Sequence, residues 1–307
     1  MSSPVISVVV FARNAATTIG RTLDSVCSQR NERTELIVLD GGSTDDTLKI
    51  IQKFRNRIAI LRTGPDGGPT SAINEGVRRA SGEIICLLPA DDWLESDALF
   101  VVAEEFSNNP QLDILTCGAR IARVRDDGEV AVRAKYLDLR ALEFTLSNIL
   151  RHPLTCARFI RRAVYERLGG LDSNWMFADK EFLVRAYLAG VVSKVRCELA
   201  FTFRQHVGST TNSGRREMTM KMLSDNIKLF RHYGATPKLS VADRRALRHL
   251  HGGSSARLAA SLLLCGRFRD AWRTVRDAFR IDSTWALNAV VWYYGSAREK
   301  YRHARAN

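Results

Sequence analysis

Short runs of consecutive apolar residues recur through the first third of the chain, and each ends in a polar turn. They lie at residues 5–11, 35–39, 58–61 and 84–88. Runs this short and this apolar predict strands buried on both faces. Between them the apolar period lengthens to that of a helix, over 17–29, 47–54 and 70–80, the last with Ile73 and Val77 on one face. Alternating strands and helices joined by short loops predict a mostly parallel, Rossmann-like sheet with right-handed crossovers.

Beyond Trp93 the pattern is mixed. Helices are expected at 97–108 and 137–150, a strand at 112–117, and a hairpin around Asp126-Asp127-Gly128. A stripe of Phe182, Leu183, Ala186 and Tyr187 marks a helix, and 197–204 reads as a last strand. From residue 215 onward everything predicts helix: 218–233, 241–251, 254–265, 268–280 and 283 to about 302, with Gly266 turning an αα-hairpin. The division expected is an α/β domain over 1–214 and a basic α-helical region over 215–307, with a chain cut near Pro237 keeping nucleotide binding.

Charge sharpens that division. Residues 215–307 hold 19 Lys and Arg against 7 Asp and Glu, so nearly all of the net +13 lies there. The arginines are spread through amphipathic stretches without the aromatic alternation of a single-strand binder, so nucleic acid is not expected as a partner. An anionic membrane surface is the candidate partner for these helices, as is plain solvent. The run Trp285-Ala286-Leu287-Asn288-Ala289-Val290-Val291-Trp292-Tyr293-Tyr294 is apolar nearly all round, which suits either packing on the domain or a membrane interface. The six cysteines form no CxxC pair, as expected of reduced thiols in a cytoplasmic protein. Residues 1–4 lead straight into a strand, and no window is apolar enough to span a bilayer.

Chemistry is expected where strands end, because ligands of open α/β sheets bind outside the carboxyl ends of strands. The fourth run ends in Pro89-Ala90-Asp91-Asp92-Trp93. Adjacent carboxylates repel unless a cation lies between them, and a divalent ion carrying phosphate oxygens is the simplest solution. A helix N-cap at Asp92 is the plainer alternative. The second run ends in Asp40-Gly41-Gly42-Ser43-Thr44-Asp45-Asp46, where glycines let a ligand approach the backbone and Asp40 can accept from a base or ribose; a tight Asp-capped turn reads the same. No GxGxxG follows the first strand and no GxxxxGK[ST] occurs, which excludes the common dinucleotide-binding and P-loop sites.

Taken together, the Asn14 turn, Leu39-Asp40-Gly41-Gly42-Ser43-Thr44-Asp45, Asp66-Gly67-Gly68-Pro69-Thr70-Ser71-Ala72-Ile73-Asn74-Glu75-Gly76, Ser81-Gly82-Glu83 and Leu88-Pro89-Ala90-Asp91-Asp92-Trp93 resemble a family 2 glycosyltransferase of GT-A fold, over residues 5 to about 210. The resemblance implies that Asp40 contacts the nucleotide base, usually uracil, with Phe11, Asn14, Gly41 and Asp91 also on the donor. It implies that Asp92 ligates Mn²⁺ or Mg²⁺ at an exposed strand end, that His206 in Gln205-His206-Val207-Gly208-Ser209 can approach the metal, and that Asp179 is the catalytic base. An N-cap or dipole partner is the structural alternative for Asp179. His152 falls in the acceptor region and reads equally as structural. Two positions depart from the family pattern. Phe11-Ala12 stands where a Pro often ends the first strand, and Gly41 replaces a frequent second acid.

The expected function is metal-dependent, inverting transfer from a nucleotide-diphospho-sugar, UDP-sugar favoured, to a hydroxyl of a saccharide or lipid-linked saccharide in surface polysaccharide biosynthesis. The enzyme is expected in the cytoplasm, peripheral on the inner face of the cell membrane. The alternatives are a sugar-phosphate nucleotidyltransferase, whose basic phosphate loop is missing between Phe11 and Ala16, and a non-catalytic sugar- or lipid-binding scaffold.

Overall fold

The structure, a computed structural model, describes residues 6–29, 33–125, 128–152, 155–205, 216–291 and 293. Its first part alternates β1 (Ile6–Ala12), α1 (Ile19–Cys27), β2 (Thr34–Asp40), α2 (Thr47–Gln52), β3 (Ile60–Thr63), α3 (Pro69–Arg79) and β4 (Ile84–Pro89). β3–β2–β1–β4 are parallel neighbours in that order. Both faces of these strands are covered, which is why their sequences are apolar without alternation. Val8, Val10, Leu36, Val38, Cys86 and Leu88 pack on one side, and Val9, Ile37, Leu39, Ile85 and Leu87 on the other. α3 lies close on that second side at Gly76, where a Cβ would come within 2.3 Å of Val9 Cγ1.

The second part continues the same sheet in mixed sense. It holds β5 (Trp93–Leu94), α4 (Ala98–Asn108), β6 (Ile114–Val124), β7 (Val130–Tyr136), α5 (Leu139–Leu142), α6 (Leu146–Arg151), β8 (Arg158–Arg161), α7 (Arg162–Leu168), α8 (Ala178–Leu188) and β9 (Ser193–Arg204). β8 runs antiparallel to β4 and β6, while β9 runs parallel to β6 and antiparallel to β5. The expected parallel sheet is therefore only the first half. The helix expected over 137–150 is two short ones, broken where Glu143–Thr145 turns Phe144 into the core.

The last helices are α9 (Arg216–Tyr233), α10 (Val241–Leu263) and α11 (Phe268–Ile281), followed by helical turns at 285–291. α10 is one helix where a break was expected before Ser254. Gly252 lies inside it because the next segment crosses there: a Cβ would stand 2.6 Å from the Trp285 carbonyl and 2.8 Å from the Ala289 nitrogen. Leu229, Tyr233, Leu239, Leu247 and Leu250 join Trp175, Phe182 and Leu183 in one core, so α9 and α10 are packed into the body that carries α8. A cut near Pro237 would strip Leu239, Leu247 and Leu250 from that core. Among the described residues no helix is long and apolar enough to cross a membrane.

Candidate active site

Strand register sets the site. Ala12 lies beside Asp40 and Phe11 beside Pro89, so the ends of β2, β1 and β4 form one rim. On it, Asp40 is wholly buried. Its Oδ2 accepts from the N–H groups of Gly42 at 3.1 Å and Ser43 at 3.0 Å, and its Oδ1 accepts from the Ser43 hydroxyl. The Ser43 oxygen in turn accepts from the Asn14 N–H at 2.8 Å, and Asn14 Oδ1 accepts from the Thr44 N–H at 2.9 Å. Asn14 adopts φ 50°, a left-handed conformation that asparagine tolerates better than most residues. Asp40 and Asn14 are thus coupled through Ser43, and the Asp-held turn anticipated for this loop is present.

Gly41 has a defined spatial role. A Cβ there would come within 2.7 Å of Asp66 Oδ2, so the bare backbone admits an acid from the β3–α3 loop. Asp66 Oδ1 accepts from the Gly68 N–H at 2.8 Å. Arg62 braces the same corner, donating to the Asp40 carbonyl at 3.3 Å and to Glu75 at 2.8 Å. Asp66 heads one of the stretches that carry the family resemblance but was assigned no role there, and Arg62 was not singled out. An acid between Gly64-Pro65 and Gly67-Gly68, just past the end of β3, was the available signal.

The Asp91-Asp92 turn is tied to β1 and α1. Ala90 N–H donates to the Phe11 carbonyl at 3.2 Å. The Thr22 hydroxyl reaches the carbonyls of Ala90 at 2.9 Å and Asp92 at 2.7 Å. Trp93 continues into β5, and α4 begins only at Ala98, so Asp92 is no helix cap. The expected exposure of Asp92 is corrected: it is 7% exposed, because β9 arrives above it and the Arg204 N–H donates to its Oδ1 at 2.8 Å. Burial raises the Asp92 carboxyl well above its ordinary range, and the Asp91 charge adds to the shift. A cation would reverse both effects.

That electrostatic demand is what fits Asp91 and Asp92 to a divalent metal, as hard oxygen donors on a single turn. Among the described residues no three acidic, histidine or cysteine side chains gather into a metal site. A metal held by this pair would need its remaining ligands from substrate phosphates and water. His206 lies outside the described residues.

Asp179 sits in the first turn of α8, one residue inside its start, where its Oδ1 accepts from the Lys180 N–H at 2.8 Å. It does not cap the helix. Asp225 of α9 does that work, accepting from the Phe177 N–H at 3.0 Å. Burial lowers the Lys180 amine's pKa, and the charges of Asp179 and Asp225 oppose that shift. Its Nζ stands 4.7 Å from the Phe177 ring. Burial raises the pKa of the half-buried Cys156 thiol, and the charges of Asp179 and Asp92 add to the shift. Lys180 and Asp225 were not singled out in the sequence; nothing there pairs α8 with α9.

His152 is buried, edge-on to Tyr136 at 5.5 Å between ring centroids. Clefts of about 500 and 620 Å³ open elsewhere on the surface, and neither is lined by Asp40, Asp91, Asp92 or Asp179.

Residues 7–169 match the model of Glycosyl transferase family 2. The chain belongs to that family. An uncharacterized glycosyltransferase of Mycobacterium tuberculosis is 30% identical over 216 residues, 68% of this chain and 78% of that protein. The poly-beta-1,6-N-acetyl-D-glucosamine synthase of Staphylococcus epidermidis is 34% identical over 118 residues, 38% of this chain and 29% of the synthase. Among solved structures, S. aureus TarS 1-349 in complex with UDP-GlcNAc superposes with a TM-score of 0.58 at 19% identity, covering 90% of this chain and 91% of TarS. The mannosyltransferase PcManGT from Pyrobaculum calidifontis, in complex with GDP-Man and Mn2+, gives 0.59 at 17% identity over 98% and 88%. The family 2 glycosyltransferase is a GT-A fold followed by C-terminal helices.

Proposed function

We propose that this glycosyltransferase moves a sugar from a UDP-sugar, with inversion and with a divalent metal, to a hydroxyl of a saccharide or lipid-linked saccharide in surface polysaccharide synthesis. The observation that carries the reading is the placement of Asp92 and Asp179. Two carboxylates come from separate elements and separate environments, Asp92 buried beside Asp91 at the end of β4 and Asp179 in the first turn of α8 beside Lys180. Inverting transfer asks for two such environments.

Direct contact of Asp40 with the base, expected from the family resemblance, gives way in this reading to support through Ser43, Asn14 and the turn backbone, because Gly42 and Ser43 already occupy both Asp40 oxygens. Asp91 and Asp92 hold Mn²⁺ or Mg²⁺, which when bound offsets charge growing on the leaving diphosphate. Asp179 removes the proton from the acceptor hydroxyl as it attacks C1 from the face opposite the diphosphate. His206 is proposed as a further group near the diphosphate. TarS with UDP-GlcNAc and PcManGT with GDP-Man and Mn2+ support nucleotide-sugar and metal use. The poly-beta-1,6-N-acetyl-D-glucosamine synthase supports a saccharide acceptor. A lipid-linked one would place the enzyme on the inner face of the cell membrane.

A thermal-shift panel of UDP-, GDP- and dTDP-sugars with Mn²⁺ tests the donor, because a ligand that binds only the folded state raises apparent stability. UDP-sugars are expected to give the largest shift. A shift confined to GDP-sugars would overturn the uridine assignment.

A further inference from the structure

Helix α11 presents an apolar face to the outside. Phe268, Trp272 and Phe279 are 68%, 69% and 60% exposed, whereas Ala271 and Ala278 of the same helix are 3% and 2% exposed. At 3.6 residues per turn the three aromatic residues fall within about 40° of one another. The buried alanines lie beside them, and Ala271 packs with Leu258 and Leu262 of α10. An ordinary surface helix turns its aromatics inward; α11 turns alanine inward and its aromatics out.

The arginines are placed with the same regularity. Arg269, Arg273, Arg276 and Arg280 fall within an arc of about 60°, directly flanking the aromatic face. Asp270 and Asp277 lie behind them; Arg273 is 4.0 Å from Asp270, and Arg276 is 3.1 Å from Asp277. Among the described residues Arg269 and Arg280 make no ion pair. Around the helix the order is therefore protein, aromatic, arginine, acid. Trp and Phe beside a row of Arg is the composition of a helix lying in a bilayer interface. The segment after it continues the theme: Leu287, Val290 and Val291 are exposed while Trp285 and Ala289 approach Gly252 of α10.

We infer that α11 is the membrane-docking face of the enzyme, with Phe268, Trp272 and Phe279 entering the headgroup boundary and the flanking arginines engaging anionic lipid. This deepens the proposal of an enzyme peripheral to the membrane and rests on it only for its purpose. α11 packs on α10, which shares a core with α8, so docking brings the helix carrying Asp179 to the surface where a lipid-linked acceptor lies. The charge pattern is what selects an anionic bilayer over a second copy of the chain. A like-charged arginine row on each copy would repel.

The test is co-sedimentation of the full chain with vesicles of phosphatidylcholine alone or with phosphatidylglycerol. Binding is expected only with the anionic lipid and is expected to weaken as salt rises. Each arginine at an anionic surface is worth about fivefold, so Arg269→Gln with Arg280→Gln should weaken binding roughly twentyfold. Trp272→Ser with Phe279→Ser should weaken it at least tenfold, while UDP binding in solution stays unchanged. The inference is overturned if the full chain ignores anionic vesicles, which is also the outcome if its own residues cover the face. It is overturned too if these variants bind vesicles as the parent does, or if sedimentation equilibrium shows a dimer that Trp272→Ser with Phe279→Ser dissolves. Vesicle binding without any nucleotide binding would instead count against the proposed donor chemistry alone.

Discussion

The main-chain N–H of Arg204 donates to Asp92 Oδ1 across 112 residues of sequence, at 2.8 Å. Through this bond the end of β9 closes over the Asp91-Asp92 turn, and a carboxylate that looks exposed in the sequence becomes a buried one. The proposed metal ligand is thereby oriented before any metal arrives, at an electrostatic cost.

That cost is measurable. The Asp92 carboxyl titrates above its ordinary range because it is buried and Asp91 is charged. The folded state thus holds the proton more tightly than the unfolded chain does. Stability falls as pH rises from the unfolded pKa through the raised folded one, and the penalty is fully present above both. Asp92→Asn keeps an acceptor for Arg204 N–H and removes the charge. In metal-free buffer near neutral pH its melting temperature should equal or exceed that of the parent; a clear drop would show that the ionised carboxylate stabilises the fold.

Asp179→Asn tests the base. The amide cannot take a proton, so transfer should fall by roughly 10²–10⁴-fold with donor binding retained. Steady-state transfer rates alongside UDP titration check this, and near-normal turnover would remove Asp179 from the mechanism.

Asp225 reaches the same acid indirectly. It accepts from the Phe177 N–H at the start of α8, and its charge, like that of Asp179, acts on Lys180. Asp225→Ala leaves a half-buried donor without its partner and should cost about 1–2 kcal/mol in denaturant unfolding. It should also lower turnover. Asp225→Asn, which still accepts, should restore most of the stability.

His251 offers a pH test of the C-terminal helices. It is wholly buried, stacked on Phe230 at 4.4 Å, and burial lowers its pKa to about 4, with Arg231 adding to the shift. Neutral imidazole is favoured in the fold, so the stability this group contributes is present above its ordinary pKa and is lost as pH falls from there toward 4. The loss approaches roughly 3 kcal/mol at its limit. His251→Phe should flatten the fall of melting temperature between pH 6.5 and 4.5; an unchanged slope would assign the acid sensitivity elsewhere.

How much could be read in advance depended on how local the cause was. β1, β2 and β4 were legible because each is a buried run closed by turn residues, and their ends carry Asp40 and Asp91-Asp92. The break expected inside α10 did not occur, since Gly252 serves the segment that crosses at Trp285 and Ala289 and not a turn. The bracing of Asp40 by Ser43 lies within one loop and was foreseeable as an Asp-held turn. The capping of α8 by Asp225 joins residues 48 apart, and no periodicity carries such a pairing. The burial of Asp92 escaped for the same reason.

The most direct measurement is calorimetric titration of UDP into the full chain with and without Mn²⁺, repeated with Asp92→Asn. If Asp91 and Asp92 hold a metal against the donor diphosphate, Mn²⁺ should raise UDP affinity at least tenfold in the parent, on the order of 1.4 kcal/mol, and leave the variant unmoved. Equal affinities in the parent with and without metal, or an undiminished metal effect in Asp92→Asn, would contradict the account.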